Sequence, residues 1–451
     1  MGDRQNLTKE ELLARAYKPG KESLRLREFY RGILEVVPKC CIRNFDDFAI
    51  WYTPGVGESC KDIHRDPDKA YRATNKWNSV AVVTDGTRVL GLGNIGPEAG
   101  LPVMEGKAIL FKYLGGVDAF PICLDCRGAD EIVTAVKWIQ PSFGGINLED
   151  IEKPKCFDVL DRLRRECRIP VWHDDQQGTA TVTTAGWINA LRIVSKKRDK
   201  VRIALIGAGA SNISTCRMLI AAGADPLRIV MVDSKGILHK GRTDVRDAEP
   251  TKWRYACATN GEQRTGGIAE AMEGADVTIA LSTPGPGTVK PEWVRSMAAD
   301  SVIFACANPV PEIWPWEAKE AGAGIVATGR SDFPNQVNNS LGFPGIFRGT
   351  LDVMASTITD EMCIAASEEL AQCAVDKGIH GEYLLPTMDD WEVFPREAVA
   401  VALKAIEQGI AQRKASREEL YGEAERIIRR ARAQVDAMAE SGVVVLPPDA
   451  P

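Results

Sequence analysis

Apolar positions change their spacing several times along the chain, and each change marks a predicted element. Leu12, Leu13 and Ala16, then Leu24, Phe29, Ile33 and Val36, recur at helical spacing and predict two helices in the first forty residues. Short apolar runs then predict strands over 80–84, 89–93, 117–123 and 169–172. Helical patterns over 104–114, 129–139, 156–167 and 177–195 separate or follow them. A second alternating series begins at Val201, with strands over 201–206, 228–232, 277–281, 302–305 and 324–327. From Thr350 the pattern is helical again, over 350–374, 395–412 and 416–438. Ser416 with Glu419 three residues on resembles a capping box.

Alternation of this kind predicts an α/β protein with mostly parallel sheets. Three parts are expected. Residues 1–176 form an N-terminal α/β catalytic domain, and residues 177–349 a Rossmann-type, doubly wound dinucleotide-binding domain. Residues 350–451 form a C-terminal helical segment packing back on the catalytic region. The tail 446–451 is expected to fray.

A length of 451 residues suits two domains, and 45% apolar with 26% charged residues is ordinary for a soluble globular protein. The net charge of −6 offers no general attraction to nucleic acid or membrane. No apolar run is long enough to span a bilayer. The polar start, Met-Gly-Asp-Arg-Gln-Asn, resembles neither a secretory signal nor a myristoylation site. A cytoplasmic location is expected, with the twelve cysteines reduced. Cys123 and Cys126 have redox or half-zinc-site spacing but lack a second pair.

Two features carry chemistry. Gly207-Ala-Gly209-Ala210-Ser211-Asn212 follows an apolar strand and opens a helix, as a dinucleotide phosphate turn does, although Asn212 replaces the third glycine. Asp233 ends the next strand, where an acid binds the adenosine ribose. Ser282, Thr283 and Asn308 follow later strands, where the nicotinamide end would lie. Asp233 favours NAD, whereas Lys235 and Lys240 suit a 2′-phosphate, so NADP stays open. The second feature is a pair of acidic doublets, Glu149-Asp150 and Asp174-Asp175, each in a turn after an apolar run. If they meet, they make a hard-cation site.

The blocks Trp51-Tyr-Thr-Pro-Gly-Val56, Gly91-Leu-Gly-Asn-Ile-Gly-Pro-Glu-Ala-Gly100, Met104-Glu-Gly-Lys107, Phe120-Pro-Ile-Cys-Leu-Asp125, Asn147-Leu-Glu-Asp150, His173-Asp-Asp-Gln-Gln-Gly-Thr179 and Asn335-Gln-Val-Asn-Asn-Ser340 follow one another in the chain. In that order they resemble the malic enzyme family, closest to its shorter bacterial branch. The resemblance covers about Tyr52 to Arg348.

It implies metal-dependent oxidative decarboxylation of (S)-malate with NAD or NADP. Glu149, Asp150 and Asp175 would bind Mg²⁺ or Mn²⁺. Lys107 would be the general base, its pKa lowered by the cation and by burial, with Asp174 orienting it. Tyr52 would be the general acid. Arg88 would hold a substrate carboxylate, and Asn308 and Asn339 would fix the substrate and the nicotinamide. Lys112 competes with Lys107 for the role of base, and His173 is expected as a hydrogen-bonding neighbour. A homodimer or higher homo-oligomer is the family expectation. A malolactic-type enzyme releasing lactate, or a catalytically silent dinucleotide-binding subunit, are the alternatives.

Overall fold

The computed structural model describes residues 9–447, so Met1–Asn6 and the end of the predicted frayed tail lie outside the described residues. Ten strands are described: β1 Ser79–Thr84, β2 Asp118–Cys123, β3 Gly145–Leu148, β4 Val171–His173, β5 Ile203–Ile206, β6 Ile229–Asp233, β7 Gly236–Ile237, β8 Val277–Ala280, β9 Val302–Ala305 and β10 Ile325–Thr328. They form two sheets. The first is all parallel in the order β2-β1-β3-β4. The second runs β10-β9-β8-β5-β6-β7, parallel except for the two-residue edge strand β7.

Strands such as Ser79-Val-Ala-Val-Val-Thr84 are buried on both faces, which is why they are near-continuous apolar runs without alternation. β2 contains Pro121, tolerated because this strand lies at the sheet edge and needs no second ladder. In each sheet the strand order reverses beside a central strand, at β1/β3 and at β5/β8. Ligand crevices form outside the carboxyl ends of strands at such points.

Helices cover the sheets and join them. Helix Pro97–Gly115 packs on β2 and also against helices Phe343–Asp352 and Arg417–Glu440 from the end of the chain. The fit is tight: a Cβ on Gly115 would lie 2.7 Å from the Pro344 carbonyl oxygen, and one on Gly116 2.6 Å from Ile427. Phe111 packs between Phe343, tilted with centroids 4.6 Å apart, and Phe347, edge-on at 5.1 Å, and Trp172 meets Phe347 edge-on at 6.3 Å. Such pairs add about 0.5–1.5 kcal/mol each beyond burial.

Several predicted elements differ from those observed. The two expected N-terminal helices are one, Lys9–Tyr30, and the chain leaves it where Arg31 and Gly32 take positive φ. Residues 89–93 are not a strand. Val89 N–H bonds the Gly93 carbonyl at 2.9 Å across a loop in which Leu90 and Gly93 have positive φ, which prevents extension. The expected helix over 350–374 is broken. Phe343–Asp352 ends near Met354, which has φ +48°, and Asp360–Asp376 restarts under a Thr359 cap. Helix Thr179–Ile193 begins only after a wide π-turn, Asp174–Gly178. The Ser416 capping box is as predicted: Glu419 N–H bonds Ser416 Oγ and Ser416 N–H bonds Glu419 Oε2, at 3.2 and 2.8 Å.

Candidate active site

Glu149 and Asp150 follow β3 directly, and Asp174 and Asp175 follow its neighbour β4, so register alone sets the two acidic doublets side by side. One oxygen from each of Glu149, Asp150 and Asp175 lies within 4.8 Å of the others. Asp150 N–H donates to Asp175 Oδ2 at 2.9 Å, and Asn147 Nδ2 donates to Glu149 Oε2 at 2.9 Å. Asp150 Oδ2 is buried with no hydrogen-bond partner. Burial drives the Glu149 carboxyl well above the ordinary range, and burial together with Asp175 pushes Asp150 up to about 8. A hard divalent cation fits this set: three converging carboxylates, one orphaned oxygen, and charges that repel one another until something positive joins them.

Lys107 stands beside the acids on helix Pro97–Gly115. Its Nζ is 2.6 Å from Asp174 Oδ2 and 3.2 Å from Glu149 Oε1, and lies 4.4 Å from the Phe343 ring centroid. Asp174 is fully buried and also accepts from Asn339 Nδ2 and, at 3.3 Å, from Trp172 Nε1. Burial alone would lower the Lys107 pKa, but Asp174 and Glu149 outweigh it and hold the ammonium above its usual value. The lowering that burial brings is thus outweighed by the two acids. Lys112, the competing base, is instead paired with Asp118 at 2.8 Å and half-buried.

Gly178 explains how Asp174 is held. A Cβ there would sit 2.0 Å from Asp174 Oδ1. His173 is fully buried and held below its usual pKa by that burial. Its ring nitrogens have no hydrogen-bond partner and Nδ1 is 3.7 Å from Asp175, so it is not the hydrogen-bonding neighbour expected. Arg88 lies on the loop beside the acids: its N–H bonds the Asp150 carbonyl at 3.0 Å and its exposed guanidinium reaches the Leu90 carbonyl. Tyr52 is not brought to this cluster. It stands 71% exposed on an arm with Phe45, Ile50 and Trp51, all solvent-facing.

The glycine turn closes the other side. Gly207 has φ +98°, and a Cβ there would meet the Leu281 carbonyl oxygen at 2.7 Å, so only glycine fits between β5 and β8. A Cβ on Gly209 would meet nothing within 4 Å, leaving open space where helix Ala210–Ala221 presents its N-terminus. Asn212 does not disturb the turn. Its Nδ2 donates to the carbonyls of Ile206 and Gly207 at 2.8 and 3.0 Å, tying helix to strand through an amide instead of through close packing at a glycine. Ser211 Oγ donates to the Asp175 carbonyl at 2.8 Å, which joins the turn to the acidic cluster.

Residues 32–129 and 127–164 match the malic enzyme N-terminal domain, and residues 176–408 match the malic enzyme NAD-binding domain. The chain belongs to the malic enzyme family. It is 50% identical over 392 residues to the bifunctional malic/malolactic enzyme of Bacillus subtilis, covering 87% of this chain and 94% of that one. It is 44% identical to an NADP-dependent malic enzyme of Halomonas elongata over 81% of this chain and 88% of that one. The crystal structure of Entamoeba histolytica malic enzyme superposes with a TM-score of 0.94 at 48% identity, covering 98% of this chain and 93% of that one.

In this malic enzyme family member, Asp233 ends β6 as predicted, but sequence reasoning missed its partner. Arg242 grips both carboxylate oxygens at 3.0 Å, and Lys252 approaches at 3.5 Å. Burial would raise Asp233, but the guanidinium prevails and keeps it below the usual range. Lys235 gives its backbone N–H to Asp233 and its ammonium to Asp244, at 2.9 and 3.3 Å, whereas Lys240 bonds only Gln263 through its backbone. Thr283 and Asn308 are exposed at the crevice, and Ser282 is anchored below it by Glu312, which the sequence reading also missed. The CxxC pair is unbridged and every cysteine is free. No helix among the described residues is long and apolar enough to cross a membrane.

Proposed function

We propose that this protein catalyses oxidative decarboxylation of (S)-malate to pyruvate and CO₂ with reduction of NAD or NADP. One observation carries the reading. A buried lysine clasped by Asp174 and Glu149 adjoins three convergent carboxylates, and one hydrogen bond, Ser211 to Asp175, connects them to a dinucleotide turn. Glu149, Asp150 and Asp175 would hold Mg²⁺ or Mn²⁺, which when bound makes the substrate hydroxyl easier to deprotonate and steadies the enolate.

Lys107 takes the hydroxyl proton. A cation held by Glu149, Asp150 and Asp175 would weaken the hold of Glu149 on the ammonium and lower its pKa, and Lys107 would accept the proton as the neutral amine. Asp174, itself fixed by Asn339 and Trp172, sets the direction of that ammonium. Arg88 binds a substrate carboxylate, and Asn308 with Ser282 and Thr283 lines the nicotinamide end. Tyr52 would supply the proton to C3 only where assembly of the protein brings its exposed arm to the acidic cluster. Its arm of exposed apolar residues suits a homodimer that covers it.

Both dinucleotides are accepted in this reading. Asp233 can receive the adenosine ribose, while Arg242 neutralises the charge that would otherwise repel a 2′-phosphate. We place the domain division at about residue 176. A second reading, lactate release with recycled NAD, is favoured by the likeness to the bifunctional malic/malolactic enzyme of Bacillus subtilis.

Malate with NAD or NADP, with and without Mn²⁺, decides between them. NAD(P)H and pyruvate accumulating only with metal is the expected result, and lactate without NADH selects the malolactic reaction. Lys107→Ala is expected to abolish turnover and leave NADH binding intact; normal turnover in that variant removes Lys107 as the base.

A further inference from the structure

Glu312 is a carboxylate with no role in the chemistry above, and it is completely buried. It lies in the loop after β9, past the Asn308-Pro309 bond, and its side chain turns back under the crevice. Oε1 accepts from the backbone N–H of Ser282 at 2.9 Å and from Ser282 Oγ at 3.2 Å. Oε2 accepts from the backbone N–H of Ala307 at 3.1 Å. One carboxylate therefore spans the loops that leave the carboxyl ends of β8 and β9. Its own backbone carbonyl accepts from Val289 N–H at 3.1 Å, which fixes the far end of the first loop.

An acid this deeply buried is costly unless it satisfies donors that would otherwise be stranded. Here those donors belong to the two loops whose tips, Thr283-Pro284 and Asn308-Pro309, are exposed toward the crevice. The same tips receive the catalytic half of the molecule. A Cβ on Gly91 would stand 3.2 Å from the Asn308 carbonyl oxygen, 3.6 Å from Pro309 and 3.8 Å from Pro284. Ser282 also abuts the phosphate turn, since a Cβ on Gly207 would lie 3.2 Å from its Cβ. Glu312 thus underlies the point where the phosphate turn, both loops and the Gly91 loop converge, while Asp233 and Arg242 lie across β5 on the other side of the sheet.

We infer that Glu312 is a positioning residue for the nicotinamide half of the dinucleotide: it fastens the loops after β8 and β9 into one platform and leaves the adenosine half untouched. This rests on the dinucleotide site proposed above. Apolar filling would remove the acceptors and strand two backbone N–H groups. Glutamine would present an N–H₂ where one acceptor is needed. Aspartate keeps the charge but is one methylene too short to span both loops.

Full-length wild type, Glu312→Gln and Glu312→Asp would be titrated with NADH by fluorescence and with ADP by competition, and their melting temperatures compared. NADH contacts both halves of the site, ADP only the phosphate turn and the Asp233 end. The expected result is NADH affinity weakened tenfold or more in each variant, with ADP affinity within about twofold of wild type. Equal losses for both ligands, no loss for either, or failure of both variants to fold would overturn the inference and leave Glu312 a structural residue. Wild-type protein that binds neither ligand would overturn the dinucleotide reading as well.

Discussion

Gly178→Ala isolates the geometry of Asp174 without touching any proposed reacting group. The backbone at Gly178, φ −65° and ψ −51°, is helical, so alanine fits the conformation and gains about 1 kcal/mol in helix propensity. The new methyl is the difficulty. It would lie 2.0 Å from Asp174 Oδ1 and 3.3 Å from Asn339 Cβ, and an ordinary contact needs about 3.4 Å, so the carboxylate must retreat by roughly 1.4 Å. Asp174 cannot swing freely, because Lys107, Asn339 and Trp172 all hold it. A retreat of that size breaks its charge-assisted bond to Lys107, worth about 1.5–3 kcal/mol. The propensity gain offsets part of that loss, so folding stability should fall by no more than about 2 kcal/mol. Misplacing a catalytic group by about 1 Å costs on the order of 10²-fold in rate. We therefore expect kcat for malate-dependent NAD(P)H formation to drop about a hundredfold, with a melting temperature close to wild type. Turnover within about threefold of wild type would show that Asp174 does not position Lys107.

Mn²⁺ should raise the melting temperature of the wild type, by about 2.7 kcal/mol of stabilisation at a hundredfold excess over Kd. Asp175→Ala should abolish that shift, and an equal shift in the variant removes Asp175 from the ligand set. Arg242→Gln should lower the NADP-to-NAD ratio of kcat/KM by about tenfold, because Asp233 is then left uncompensated beside the 2′ position; an unchanged ratio means that Arg242 does not govern cofactor choice. Glu397 is fully buried with neither oxygen hydrogen-bonded, and burial holds its pKa well above the ordinary 4.5. Its native state keeps a proton that the unfolded chain releases near pH 4.5, so that stability is complete below this value and declines as pH rises toward the native pKa. Glu397→Gln should flatten the decline of urea midpoints between pH 5 and 9, and an identical slope would contradict the argument.

Much of this was written locally. Near-continuous apolar runs identified the strands of both sheets, except β3, read only as the lead into a turn, and β7, which is two residues long. The acidic doublets were visible because charges rarely follow an apolar strand without a partner. What local pattern could not show is pairing across distance. Arg242 is nine residues from Asp233 and Glu312 thirty from Ser282, and neither pairing has a period. Glu312 left a faint signal, an acid inside the proline-rich run Asn308-Pro-Val-Pro-Glu-Ile313 between a strand and a helix. Residues 89–93 misled because Val-Leu-Gly-Leu-Gly alternates as a strand does, while backbone sign, set by glycine and by Leu90, decides against it. Tyr52 was legible as a motif residue, but its exposure depends on how the arm packs.

The hydrogen bond from Ser211 to the Asp175 carbonyl has a thermodynamic meaning beyond its length of 2.8 Å. Ser211 lies in the first turn of the helix proposed to face the pyrophosphate, and Asp175 in the proposed cation cage, so a single peptide would be shared by two ligands. Ligands that bias the same structural element have linked affinities, and linkage is reciprocal: whatever factor the cation adds to dinucleotide binding, the dinucleotide must return to the cation. Cofactor and metal are then read as one cooperative load, whose coupling energy belongs to the chain rather than to either ligand.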